Sequence, residues 1–110
     1  MWTQALVKWG TTPEADADLI RGREWIEADN PAAAQKLLAT ARECFERLAQ
    51  FPGMGALTRI RGREFEGIRF LVLSPPFNKW IVFYRVREMA EIVRVLYGKQ
   101  DWRGEPERFF

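Results

Sequence analysis

Three arginines and two tyrosines carry most of the chemistry this sequence offers. Arg69, Arg85 and Arg94 fall in three successive stretches of alternating apolar residues, with Tyr84 and Tyr97 in the same stretches and Lys99 just beyond the last. If strand pairing aligns the stretches, the guanidinium groups form a transverse row on one sheet face, a surface suited to phosphate. The competing arrangement has each arginine lying over apolar neighbours or pairing with Glu64, Glu66, Glu88 or Glu91. Tyr84 and Tyr97 are expected to be packed in the core with their hydroxyls satisfied. The chain has no histidine and one cysteine, Cys44. Ser-His-Asp triads, Cys-His pairs and histidine-bearing zinc sites therefore lack an essential member, and an internal disulfide is impossible. Proton transfer near neutral pH would fall to a perturbed Lys, Tyr or carboxylate, or to an arginine cluster acting electrostatically. Gly53, Gly55, Gly62 and Gly67 lack the spacing of a phosphate-binding loop, and the carboxylates of the strand half are scattered. No metal or cofactor is expected.

The elements that must position these groups can be read from periodicity. Trp2 to Lys8 alternates as a first strand, which Gly10 is expected to end. Thr12, Pro13, Glu14 and Asp16 supply an N-cap, a proline at the first helical position and acid in the first turn, so a helix starts at Pro13. Its apolar stripe is Ala15, Leu19, Gly22 and Ile26, with Trp25 alongside. Asn30 and Pro31 repeat the start signal, and Ala34, Leu37, Leu38, Ala41, Cys44, Phe45 and Leu48 form the stripe of a second helix, antiparallel to the first. Cys44 lies in that stripe and reads as a small buried hydrophobe rather than a nucleophile.

Phe51 to Gly55 breaks the second helix. Residues 53–67 form a glycine-rich connection in which Arg59, Arg61 and Arg63 alternate with Ile60 and Gly62, a short extended edge contributing little core. From Ile68 the period becomes two: Ile68 to Leu73, Lys79 to Arg87 and Glu91 to Tyr97 read as strands joined by short loops, hence antiparallel hairpins. The expected fold is α+β, β-α-α-β-β-β, a helical hairpin packed on a small antiparallel sheet, in a single domain over residues 1–110. The terminal Phe109 and Phe110 either tuck against the domain or dock on a partner.

Composition narrows the function classes. With 110 residues, 47% of them apolar, one core can form but separate cofactor and substrate domains cannot. No apolar run approaches the roughly 18 residues that span a bilayer, and the opening residues lack a basic leader, so a cytoplasmic protein without membrane partners is expected. The net charge of +2 hides a segregation: residues 1–57 carry six Lys/Arg against eight Asp/Glu, residues 58–104 ten against five, and residues 105–110 one against two. The basic second half points to an anionic partner, nucleic acid or an acidic peptide.

Taken together, several segments resemble the RelE/ParE family of toxins from bacterial type II toxin-antitoxin modules. The residues are Ala15, Asp18 and Leu19; Asn30-Pro31 with Ala33-Ala34; Leu48 with Phe51-Pro52-Gly53-Met54-Gly55; Ile68-Arg69; Ile81 to Val86; and Glu91 to Trp102. The resemblance implies the RelE-like fold and a cognate antitoxin that wraps and blocks the toxin. RelE-like messenger-RNA nucleases carry an arginine after the Gly-Lys of the last strand and a later tyrosine, where this chain has Gln100 and no tyrosine from Asp101 to Phe110. The ParE branch, whose members poison DNA gyrase, matches better, with Leu96-Tyr97-Gly98-Lys99-Gln100-Asp101 standing where that branch commonly reads Leu-His-Gly-x-Arg-Asp. The resemblance thus implies a ParE-like, protein-binding growth inhibitor rather than an enzyme. Arg69, Arg85, Arg94 and Lys99 would meet target or antitoxin carboxylates, with Tyr84 and Tyr97 in support. Leu19, Trp25, Ile26, Phe109 and Phe110 are the expected antitoxin anchors. The alternatives are a ribosome-dependent mRNA endoribonuclease using Arg85, Arg94 and Lys99, and a non-toxic module that only binds antitoxin.

Overall fold

Thr12 stands at the joint of the molecule. In the computed structural model, which describes residues 8–98 and 100–110, its side chain accepts from the Ala15 N–H as the N-cap of α1 (Pro13–Glu27). The same hydroxyl donates to the Val93 carbonyl at 2.8 Å, and the Thr12 N–H bonds the Ile92 carbonyl. One residue thus starts the helix and ties it to the sheet. Asn30 caps α2 (Pro31–Gln50) in the same way, through the Ala33 N–H, and both helices carry proline in the first turn as the sequence pattern predicts.

The strands are β1 (Trp9–Thr11), β2 (Ala56–Leu57), β3 (Arg69–Val72), β4 (Trp80–Val86) and β5 (Ala90–Tyr97). Among the described residues they form one five-stranded sheet in the order β1-β5-β4-β3-β2. It is mixed rather than antiparallel, because β1 runs parallel to β5 while every other pair is antiparallel. The α+β class and the helical hairpin on a sheet agree with the sequence reading. The first strand does not: Trp2 to Val7 lie outside the described residues, and Gly10, expected to end a strand, sits in the middle of β1. Helix α1 leads from β1 to an antiparallel α2, and the chain returns to set β5 beside β1, so the crossover makes that pair parallel.

The sheet is covered on both faces, which the sequence reading missed. Ala15, Leu37, Ala41, Cys44, Phe45 and Leu48 of the helices pack on Val82, Tyr84, Ile92 and Val95. The opposite face carries a second cluster of Ile60, Phe65, Ile68, Phe83, Leu96 and Trp102, with Phe109 and Phe110 against it. The segment expected to add little core therefore supplies Ile60 and Phe65, and the terminal pair tucks in, Phe110 lying 5.0 Å from the Phe83 ring. Alternation alone does not show this, because two-sided burial makes both parities of β4 apolar. Among the described residues no helix is long and apolar enough to cross a membrane.

Tyr84 pins the break after α2. Its hydroxyl, fully buried, donates to the Pro52 carbonyl and accepts from the Gly55 N–H, both at 2.8 Å. A β-carbon on Gly55 would stand 2.7 Å from that hydroxyl and 2.8 Å from the Phe70 carbonyl oxygen. Because one of those atoms is backbone, Gly55→Ala is expected to cost about 1–3 kcal/mol by overpacking, read in denaturant unfolding, whereas Gly53→Ala, which meets nothing, is expected to change little.

Candidate functional site

The three arginines do not form a row. Arg69 pairs with Tyr84 across the β3–β4 ladder, so it shares the helix-covered face, where its Nη1 donates to the Gly55 carbonyl at 2.7 Å. Arg85, next along β4, points to the other face and donates to the Glu64 carbonyl at 3.0 Å. Arg94 is aligned with Phe83, and a register shift leaves Val93 unpaired between Tyr84↔Ile92 and Phe83↔Arg94. Such a bulge bends a strand and re-aims its side chains. Here it lies just where β1 ends, so the edge of β5 is open to α1.

That edge is closed by Asp18. Its Oδ2 accepts from Arg94 Nε at 2.7 Å and from the Val95 N–H at 2.9 Å, while Oδ1 accepts from Arg94 Nη2 and Arg21 Nη2, both at 2.8 Å. The residue is 4% exposed yet has four donors. Arg94 Nη1 donates to the Phe109 carbonyl at 2.7 Å, so one guanidinium joins α1, β5 and the C-terminal segment. Hydrogen bonding to Asp18 holds the Arg94 guanidinium above its ordinary pKa, outweighing the opposing effect of burial. Sequence reasoning passed over Asp18 as a structural centre, although the signal was there. Three residues after Ala15 and four before Gly22, it lies on the buried stripe, and a carboxylate there requires partners.

The tyrosines part company. Burial raises the Tyr84 pKa, opposed by the Gly55 hydrogen bond, and the side chain anchors a loop. Tyr97 is 40% exposed and lies edge-on to Trp25 at 5.8 Å and to Trp80 at 5.2 Å. These rings wall a cleft of about 300 Å³ with Arg21, Arg94 and Gln100. Trp25, 64% exposed, faces this cleft. Leu19 instead lines a separate groove of about 280 Å³ between the helices and β1, with Trp9, Leu38, Phe45, Asp16 and Arg42. Ile26 packs on the core, so the three helical residues proposed as anchors do not share one surface. Leu38, counted in the core stripe by its spacing, is 36% exposed on the groove wall. Phe109 and Phe110 line a third cleft of about 380 Å³ with Arg85, Arg94 and Arg108 facing Glu64, Glu91 and Glu107. Lys99 lies outside the described residues. No group of three or more His, Cys, Asp or Glu that could hold a metal ion occurs among the described residues.

Similarity places this fold. A family described as "ParE toxin of type II toxin-antitoxin system, parDE" matches residues 11–102. The chain belongs to the ParE toxin family. It is 32% identical over 78 residues, 71% of this chain and 74% of the relative, to "Putative toxin Y4kP" of Sinorhizobium fredii (strain NBRC 101917 / NGR234). In architecture it is similar to a chain of the "Chromosomal ParDE TA system from P. aeruginosa", with a TM-score of 0.68 and 23% identity over 87% of this chain and all of the other. Within this ParE-family chain, Asp18 and Arg94 both fall in the matched region, as do most of the walls of the α1–α2 groove.

Cys44 is a core residue in this toxin fold. Burial pushes its thiol from 9.0 up to about 11, against a lowering influence of Arg47. The folded state favours the neutral thiol, so its contribution to stability is full below pH 9 and is lost as pH rises from 9 through about 11. Native protein at pH 8 is expected to resist iodoacetamide, with stoichiometric labelling only in denaturant; mass spectrometry distinguishes the two.

Proposed function

We propose that this ParE-family toxin acts in the cytoplasm, arrests growth by binding DNA gyrase, and is held inactive by a cognate antitoxin. The supporting observation is the groove between α1 and α2. Leu19, Leu38, Trp9 and Phe45 form an apolar wall and floor, with Asp16 and Arg42 at its margins. An amphipathic helix lays its apolar face into a groove of this kind and meets charge at the rim. An antitoxin helix seated there would act by covering the toxin rather than by occupying a catalytic centre. Inhibition by binding also suits the arginines: Arg69 on the helix-covered face, and Arg85 and Arg94 on the other, are each engaged by backbone carbonyls or Asp18. A nuclease needs such groups converging on one phosphate.

The test is induction of the chain in growing cells, alone and with its neighbouring reading frame, beside supercoiling by purified gyrase. Growth arrest relieved by the neighbour, together with loss of supercoiling, is the expected result. Codon-dependent cuts in mRNA with intact supercoiling would replace this reading with the ribonuclease. Unimpaired growth with tight antitoxin binding would replace it with the non-toxic module.

A further inference from the structure

Arg59, Arg61 and Arg63 alternate in a segment that none of the contacts above employs. All three are exposed, while Ile60 between two of them is buried in the second apolar cluster. The same cluster holds Trp102, and the Arg103 guanidinium lies over that indole at 4.4 Å. The four exposed arginines therefore flank residues, Ile60, Phe65 and Trp102, that cover the second face of the sheet. Among the described residues none of the four has a carboxylate within ion-pair distance.

The segment is also held in place. Ile60 and Phe65 are buried, the Phe65 N–H bonds the Gly62 carbonyl, and Arg59 keeps a left-handed backbone at φ 59°. Residues with a β-carbon rarely adopt that region, so the surrounding contacts must impose it. A pre-set loop loses little freedom on binding. Glu64, the nearest acid in sequence, lines the cleft on the Arg85 side and sets its carboxylate beside Gly62, yet it forms no ion pair with the loop arginines.

We propose that this arginine loop, with Arg103, contacts the phosphate backbone of duplex DNA. Cationic groups without partners suit a polyanion. Single strands would require exposed rings for base stacking, and Trp102, the aromatic residue beside Arg103, is buried beneath it. The inference stands apart from the gyrase reading, since a chain that left gyrase unaffected would still bind DNA here.

The experiment is fluorescence anisotropy of a labelled duplex DNA of about 24 base pairs with the purified chain. Four phosphate contacts predict a roughly 100-fold loss of affinity between about 50 and 200 mM NaCl. Arg61→Ser and Arg63→Ser should each lower the slope of log affinity against log salt by about 0.9, and the triple variant with Arg59→Ser by nearly three times that. Lys36→Ser with Arg47→Ser, both exposed on α2, should behave as the native chain. Retained folding is checked by circular dichroism. The proposal is overturned by absence of binding at about 100 μM protein in low salt, by an unchanged triple variant, or by tighter binding to single-stranded DNA or duplex RNA.

Discussion

Asp18→Ala is expected to destabilise the fold by about 3–5 kcal/mol, which in a domain of this size lowers the thermal midpoint by more than about 10 °C. Two consequences combine. Arg94, whose side chain is 15% exposed, would keep its charge but lose the partner of its Nε and Nη2. The Val95 N–H would be left at a strand edge with no acceptor. Breaking one side of a buried charge pair is costly because the other charge remains, whereas replacing both by apolar groups of similar volume is often tolerated. Asp18→Leu combined with Arg94→Met should therefore recover part of the loss. Arg21→Ala should cost less than about 1 kcal/mol, since Arg21 is 67% exposed and screened. Denaturant titrations of the native chain and these three variants decide it. A loss below about 1 kcal/mol for Asp18→Ala would mean that α1 does not depend on this carboxylate to close the sheet edge.

The same carboxylate shows how far the sequence could be read. Cap-plus-proline signals at Thr12-Pro13 and Asn30-Pro31 are local chemistry, so both helix starts were legible to the residue. The three later strands were legible because alternation is local too. Sheet closure was not: β1 is three residues long, and its parallel pairing with β5 joins residues far apart in the chain, Trp9 to Ala90. The arginine row failed for a related reason. Whether Arg69, Arg85 and Arg94 align depends on register, and their alternation in sequence already put Arg85 on the face opposite Tyr84, the residue beside Arg69. The bulge at Val93 then put Arg94 opposite Phe83, on the Arg85 face, from which its guanidinium reaches Asp18 of α1, something no spacing rule announces. Leu38 illustrates the limit of helical periodicity. It has the spacing of a core residue, yet it stands at the edge of the stripe, where a groove opens instead of a neighbour.

That exposed leucine gives the largest expected effect on binding. Leu38→Asp should weaken capture by the antitoxin at least about 30-fold, because truncating or charging a central apolar anchor commonly costs about 2 kcal/mol or more. In cells the variant should remain toxic despite its antitoxin. Leu38 contributes little to the core at its exposure, so the thermal midpoint should move by only a few degrees, separating lost binding from lost folding. Arg42→Glu, on the same groove margin, should chiefly slow association and alter its salt dependence, because rim charges steer encounter more than they hold a complex. Trp25→Ala supplies the internal comparison. It removes the larger side chain, but from the cleft on the far side of α1. Calorimetric titration with purified antitoxin should therefore rank Leu38→Asp well above Trp25→Ala. The reverse order would move the antitoxin helix out of the α1–α2 groove and onto the Trp25–Tyr97 cleft, where Arg21 and Gln100 would then set its charge preference.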